Sequence, residues 1–291
     1  MKDYIDTLVI SGGGVKGIAY IGVLKKLKEM ELTKKIKLDI KRICCVSVGC
    51  LFGLMYILGY GSDEMKYEVM NKNFDELKNV KFTNIIKEYG LDNGECIITW
   101  IETLMIKKGY SKDMTMKELY EITNVKLQIV TTDLSKYDYY IFDSDKTPDV
   151  KVTFAIRLSI SIPFIFTAEK YEGNIHVDGA LINNYPIRLF KNELEHVLGI
   201  KIVTYGELES HNVMNDIKEL DEYIKHVMTL FFIQKEKNIL LSEQYNEHTI
   251  YINTEKEHTA INFKLKKNEK KRLIELGYEG ASNYFEKKIE K

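Results

Sequence analysis

The chain reads as an α/β protein of three-layer αβα type, with a largely parallel central sheet. Two patterns predict this. Short β-rich runs alternate with helix-length apolar segments from the first residues onward, and glycine- or serine-bearing turns stand where a strand gives way to a helix. Size adds a third observation: a chain of 291 residues can bury about three quarters of its unfolded surface, enough for a large core.

Residues 7–11 form a β-rich run, 12–17 a glycine-rich turn, and 18–30 carry Ile18, Ile21, Leu24 and Leu27 at helical spacing. After a lysine-rich connection, 40–46 read as a second strand and 48–58 as a helix apolar almost all round. Such a βαβα unit covers both sheet faces with helices and leaves ligands to bind beyond the carboxyl ends of the strands. Residues 62–124 are charged and helix-forming, with Thr115-Met116-Lys117-Glu118 patterned as a capping box, and read as a helical excursion. Strands are expected again at 126–131, 139–143, 175–177, 197–204 and 249–253, and a final helix at 267–287. The three prolines, Pro148, Pro163 and Pro186, are expected at turns that need a fixed φ. No linker composition interrupts the chain. One domain over 1–291 is expected, with a catalytic core at 7–205 and a helical extension at 206–291.

Hydrophobic residues at 45% and charged residues at 29% exclude disordered, collagenous and repeat architectures. Forty-two basic against 43 acidic residues give a net charge of -1, so no nucleic-acid partner is expected. Four cysteines (Cys44, Cys45, Cys50, Cys96) make no disulfide framework and no paired C-x-x-C spacing, which points to core residues and to no metal. The start of the chain shows no basic segment followed by an apolar one, and the longest apolar run, 50–58, is about half of the roughly 20 residues a membrane span needs. An intracellular, cytoplasmic protein is the expectation.

Three places can carry chemistry. Gly12-Gly13-Gly14-Val15-Lys16-Gly17 follows a strand and opens a helix, so successive amides can converge on an anion. That pattern suits a dinucleotide pyrophosphate, an oxyanion hole or an ordinary turn, and Asp39 stands where a ribose-binding acid would be. Ser47 lies at the next strand-to-helix turn, where it can be a nucleophile on a sharp elbow or a helix cap. Gly49 supplies the small residue after it, while Cys45 replaces the first glycine of G-x-S-x-G. A serine needs a base, and Asp178, followed by Gly179 and Ala180, ends a later strand, although Asp-Gly is also a common turn.

Together these motifs resemble the patatin-like phospholipases, in which a glycine-rich loop, a G-x-S-x-G elbow and a D-G-[AG] motif follow in this order. Further patches agree: 18–24, Thr132-Asp133-Leu134, 157–166, Asn183-Asn184-Tyr185-Pro186, and 263–277 as a closing helix. The resemblance implies a lipid acyl hydrolase of phospholipase A type, with Ser47 as nucleophile, Asp178 as base and the amides of Gly12, Gly13 and Gly14 as oxyanion hole. Lys16, Gly17, Cys45, Gly49, Gly179 and Ala180 support the motifs. It implies no cofactor and no metal. It implies a phospholipid or related acyl lipid as substrate, and a peripheral membrane surface is a further expected partner. The alternatives are a catalytically weak lipid-binding relative, suggested by Cys45, and more remotely a dinucleotide-binding protein. His176, two residues before Asp178, raises a triad variant against a packed histidine. The basic stretch 264–272 reads as a solvated face or an attraction for anionic lipid. Residues 228–233 read as core or acyl-pocket lining.

Overall fold

A computed structural model describes residues 3–81, 83–203, 243–254 and 263–289. The chain enters as β1 (Asp3–Ile10), passes through a 3-10 turn at Gly14–Ala19 into α1 (Tyr20–Leu32), returns as β2 (Ile36–Val46) and leaves in α2 (Val48–Ile57). β2 starts earlier than its apolar core suggests. The segment Ile36-Lys37-Leu38-Asp39-Ile40 alternates apolar and charged residues, so one face packs while the other stays polar.

The excursion holds α3 (Ser62–Asn71), α4 (Asn84–Glu88), β3 (Gly90–Asp92), α5 (Glu95–Lys107) and α6 (Met116–Thr123). The capping box forms as read: Glu118 N–H donates to Thr115 Oγ1 at 3.2 Å and Thr115 N–H to Glu118 Oε2 at 2.8 Å. Next come β4 (Lys126–Asp133), β5 (Asp138–Phe142), α7 (Val152–Ser159), β6 (Phe164–Phe166), β7 (Glu169–Tyr171), β8 (Asn174–Asp178), α8 (Ala180–Asn183) and β9 (Val197–Val203). The described residues end with α9 (Glu243–Asn246), β10 (Thr249–Asn253) and α10 (Lys267–Ile289).

The main sheet has the order β10-β9-β1-β2-β4-β8-β7, with β5 also on β4, and β3 pairs with β6 in a separate small sheet. Pairings from β10 to β4 are parallel, whereas β5, β8 and β7 add antiparallel. Alternation along the strands makes the three layers. Leu8, Ile10, Ile43, Cys45 and Ile129 face a large core built with α1, α2, α5 and α7, and Val9, Cys44, Val46 and Val130 face a smaller one with Ala180, Tyr185 and Ile187.

The basic stretch is only partly a solvated face. Lys270 is buried, and its ammonium donates to the carbonyls of Val69 at 2.9 Å and Lys72 at 2.7 Å while lying 4.1 Å from the Phe74 ring centroid. It caps the end of α3, where helix carbonyls lack intrahelical partners. Residues 228–233 lie outside the described residues. Among the described residues, no helix is long and apolar enough to cross a membrane.

Candidate active site

The register of β4 brings distant residues together. β2 pairs with β4 from Arg42 opposite Lys126 to Val46 opposite Val130, and β5 occupies residues 129–133 of β4. Because these pairings overlap, β2 and β5 must use opposite edges of β4. β8 pairs with residues 131–133 of β4, with Asp178 opposite Thr131, so it shares the edge of β2 and arrives from the other direction. The two strands meet head on. Ser47 follows Val46 and Asp178 ends β8, which places the two side chains across one gap although they are 131 positions apart.

Ser47 takes φ 52° and ψ -130° at the head of α2, a strained backbone of the kind that aims a side chain out of a strand-to-helix turn. Gly49 makes the turn sterically possible, since a β-carbon there would lie 2.6 Å from the Ser11 carbonyl oxygen. Cys45 does not obstruct it. Its side chain is fully buried, with Sγ 3.5 Å from the Gln128 carbonyl oxygen. The elbow is held from outside by Ser159 at the end of α7. Ser159 Oγ accepts the Ser47 N–H at 2.9 Å and donates to the Val130 carbonyl at 2.7 Å. Sequence reasoning gave Ser159 no role. Its only signal in the sequence is its place in the 157–166 patch, and the structure buries it fully.

Ser47 Oγ donates to Asp178 Oδ2 at 2.6 Å, and both residues are buried. The other carboxylate oxygen accepts the Ala180 N–H at 2.8 Å, so Ala180 fixes the rotation of the carboxyl. The Asp178 backbone donates to the Ser161 carbonyl at 2.9 Å, and its carbonyl accepts from Thr132 Oγ1 at 3.0 Å. Burial pushes the Asp178 carboxyl up to about 7 against the lowering effect of the Ser47 and Ala180 hydrogen bonds. Gly179 has an ordinary helical φ of -62°. Its lack of a side chain matters because a β-carbon would run into the Val130 carbonyl, not because the backbone turns freely there.

His176 does not complete a triad. Its Nδ1 is 3.0 Å from Thr131 Oγ1 and its ring packs edge-on to Tyr140, Phe142 and Tyr171, while burial holds its pKa below the usual value. Asp39 fails as a ribose acid for a positional reason. It lies in the first half of β2, seven residues before the carboxyl end, or roughly 23 Å along a strand, and it is occupied by Tyr4 and Lys41.

In the glycine-rich loop, Gly12 N–H already donates to the Asn184 carbonyl at 3.2 Å, which removes it as an oxyanion donor. Gly13 is extended and Gly14 has φ 54°; the Gly13 carbonyl accepts from Lys16 N–H at 3.2 Å, which closes the turn. Lys16 and Gly17 are buried in the 3-10 turn, and Gly17 lies against Val48. Gly14 and Val48 line the same cavity as Ser47.

That cavity has a volume of about 80 Å³ and is partly open to solvent. Apart from Gly14 and Ser47 it is lined by apolar side chains alone, among them Leu51, Phe74, Trp100, Ile156 and Phe166. Arg157 braces this wall. Its buried guanidinium donates to the Asn93 carbonyl, Ser161 Oγ and the Thr167 carbonyl and hydroxyl at 2.6–2.9 Å. Arg157→Met should therefore cost roughly 3 kcal/mol or more, read as a lowered denaturant midpoint, because several buried acceptors lose their donor together.

The chain is 27% identical over 293 residues to an uncharacterized protein of Acanthamoeba polyphaga mimivirus, spanning 99% of this chain and 96% of that one. It is 30% identical over 240 residues to a probable lipid hydrolase of Invertebrate iridescent virus 6, covering 80% and 73% of the two chains. The fold is similar to VipD from Legionella pneumophila, with a TM-score of 0.59 at 16% identity over 97% of this chain and 67% of that one. Residues 8–191, which include the glycine-rich loop, the Ser47 elbow and the Asp178 motif, match the family model described as patatin-like phospholipase, and the chain belongs to that family of lipolytic hydrolases.

Proposed function

We propose that this protein is a lipid acyl hydrolase of phospholipase A type, which cleaves carboxylic esters through an acyl-Ser47 intermediate with Asp178 as the base. The observation that carries the reading is the 2.6 Å hydrogen bond from Ser47 Oγ to Asp178 beside a wholly apolar cavity. Asp178 takes the Ser47 proton as Oγ attacks the ester carbonyl, and the Gly13 and Gly14 amides receive the charge that develops on the carbonyl oxygen. Collapse expels the alcohol, which takes the proton from Asp178. Water, activated by the same carboxylate, then releases the fatty acid. An acyl chain satisfies the cavity walls, and a relative named as a probable lipid hydrolase points to the same substrate class. Cys45 gives no reason to expect a silent site, since it leaves the dyad geometry intact.

A fluorophosphonate probe should label the wild type at Ser47 and leave Ser47→Ala unlabelled; labelling elsewhere, or undiminished ester hydrolysis by that variant, would overturn the assignment. The rate should also depend on pH in one direction. Because Asp178 must be ionised to accept a proton and its pKa is raised to about 7, kcat/KM should be low in acid and rise to a plateau above neutrality. A profile already flat from pH 5 upward would exclude a buried carboxyl as base.

A further inference from the structure

Among the described residues, the small sheet at the cavity's edge carries an exposed apolar surface. Val80, Tyr89 and Phe164 are 50%, 60% and 47% exposed. They are neighbours through the backbone: Gly90, next to Tyr89, pairs with Phe164, and Val80 bridges Asp92. Two of these segments also line the cavity, through Leu77 ahead of Val80 and through Ile162 and Phe166 on either side of Phe164. The segments that line the cavity thus continue directly into exposed apolar side chains. Tyr89 and Phe164 also hold φ of 62° and 68°, a left-handed backbone that large side chains rarely adopt. Exposed Lys81 and Lys87 stand on the same segment against exposed Glu88, leaving a basic excess at its edge.

We propose that Val80, Tyr89 and Phe164 form the surface by which the protein docks on a phospholipid bilayer, with the cavity mouth facing the lipid. The proposal rests on the acyl hydrolase reading for its purpose, not for its test. Continuity with the cavity favours a lipid occupant: a membrane-held acyl chain can pass from bilayer to Ser47 without crossing water, whereas a protein partner seated here would block the mouth. An aromatic hydroxyl beside lysines also suits the interfacial zone, where apolar rings bury while polar tips and cations stay hydrated.

The left-handed backbone makes a clean test available, because glycine is at ease there. The double variant Tyr89→Gly with Phe164→Gly removes the side chains and relieves the backbone. Its melting temperature and its rate of fluorophosphonate labelling at Ser47 should match the wild type. Sedimentation with vesicles of phosphatidylcholine containing a minor share of phosphatidylglycerol should fall at least about tenfold. Hydrolysis of the vesicle lipid should fall in parallel, and that of a soluble short-chain ester should not. Wild-type protein that ignores vesicles, or a variant that binds them equally, would overturn the proposal. So would a wild-type dimer that the variant turns into monomer, since a second copy would then be the occupant. Vesicle binding lost in the variant while the wild type cleaves no ester would uphold the docking surface and refute the hydrolase.

Discussion

Asp178→Asn should lower kcat by about 10²–10⁴-fold and yet make the protein more stable at neutral and alkaline pH. The first effect follows because an amide cannot take the Ser47 proton, although it can still hold the hydroxyl in place. The second follows from the raised pKa of a carboxyl that is 1% exposed. At pH below about 4 the group is neutral in both folded and unfolded chains, and it carries no penalty. As pH rises from there to about 7, the unfolded chain gives up the proton readily while the folded one keeps it. Folding stability contributed by this group falls throughout that window and stays low above it. An asparagine never ionises, so the variant's advantage in denaturant midpoint should be absent in acid, grow through the same window, and level off at an order of 4 kcal/mol. A variant that is inactive but equally stable at every pH would contradict the burial of an ionising base.

Ser159→Ala should have the next largest effect on turnover although Ser159 makes no bond to the Ser47 hydroxyl. Its hydroxyl answers two buried backbone groups at once, the Ser47 N–H and the Val130 carbonyl. Without it the strained Ser47 backbone loses the bond that fixes it, and each orphaned group costs about 1–3 kcal/mol. Turnover should drop about tenfold to a hundredfold, with KM little changed because the cavity walls stay as they are. Fluorophosphonate labelling should slow in proportion, and the melting temperature should decrease. Loss of stability with undiminished labelling would make Ser159 a packing residue only.

Much of the site was legible because its chemistry sits at strand ends. Glycine at the first loop, serine at the second strand end and Asp-Gly at a later one are residue types that only certain backbone shapes require, and such signals survive without knowledge of the fold. The direction of β8 was not legible. Five residues ending in aspartate read the same in a parallel or an antiparallel strand, and only pairing to β4 decides between them. The three-residue strands β3, β6 and β7 escaped for lack of any period to detect. The first half of β2 reads as part of a lysine-rich connection because Lys37 and Asp39 are charged, although apolar and charged residues alternate from Ile36 to Ile40. Gly12 looked like a donor, but the Asn184 carbonyl that claims its amide is 172 positions away in the sequence, beyond the reach of a local motif.

The collision of β2 and β8 along one edge of β4 separates what can vary from what cannot. Adding or deleting one residue within 174–178 would swing Asp178 to the opposite side of the sheet, because side chains alternate with every step. Residues 62–124, which give Phe74, Leu77, Ile97, Trp100 and Ile101 to the cavity wall, enter and leave without touching that spacing. Changes within that insert can therefore reshape the cavity while the distance between Ser47 and Asp178 stays as the sheet sets it.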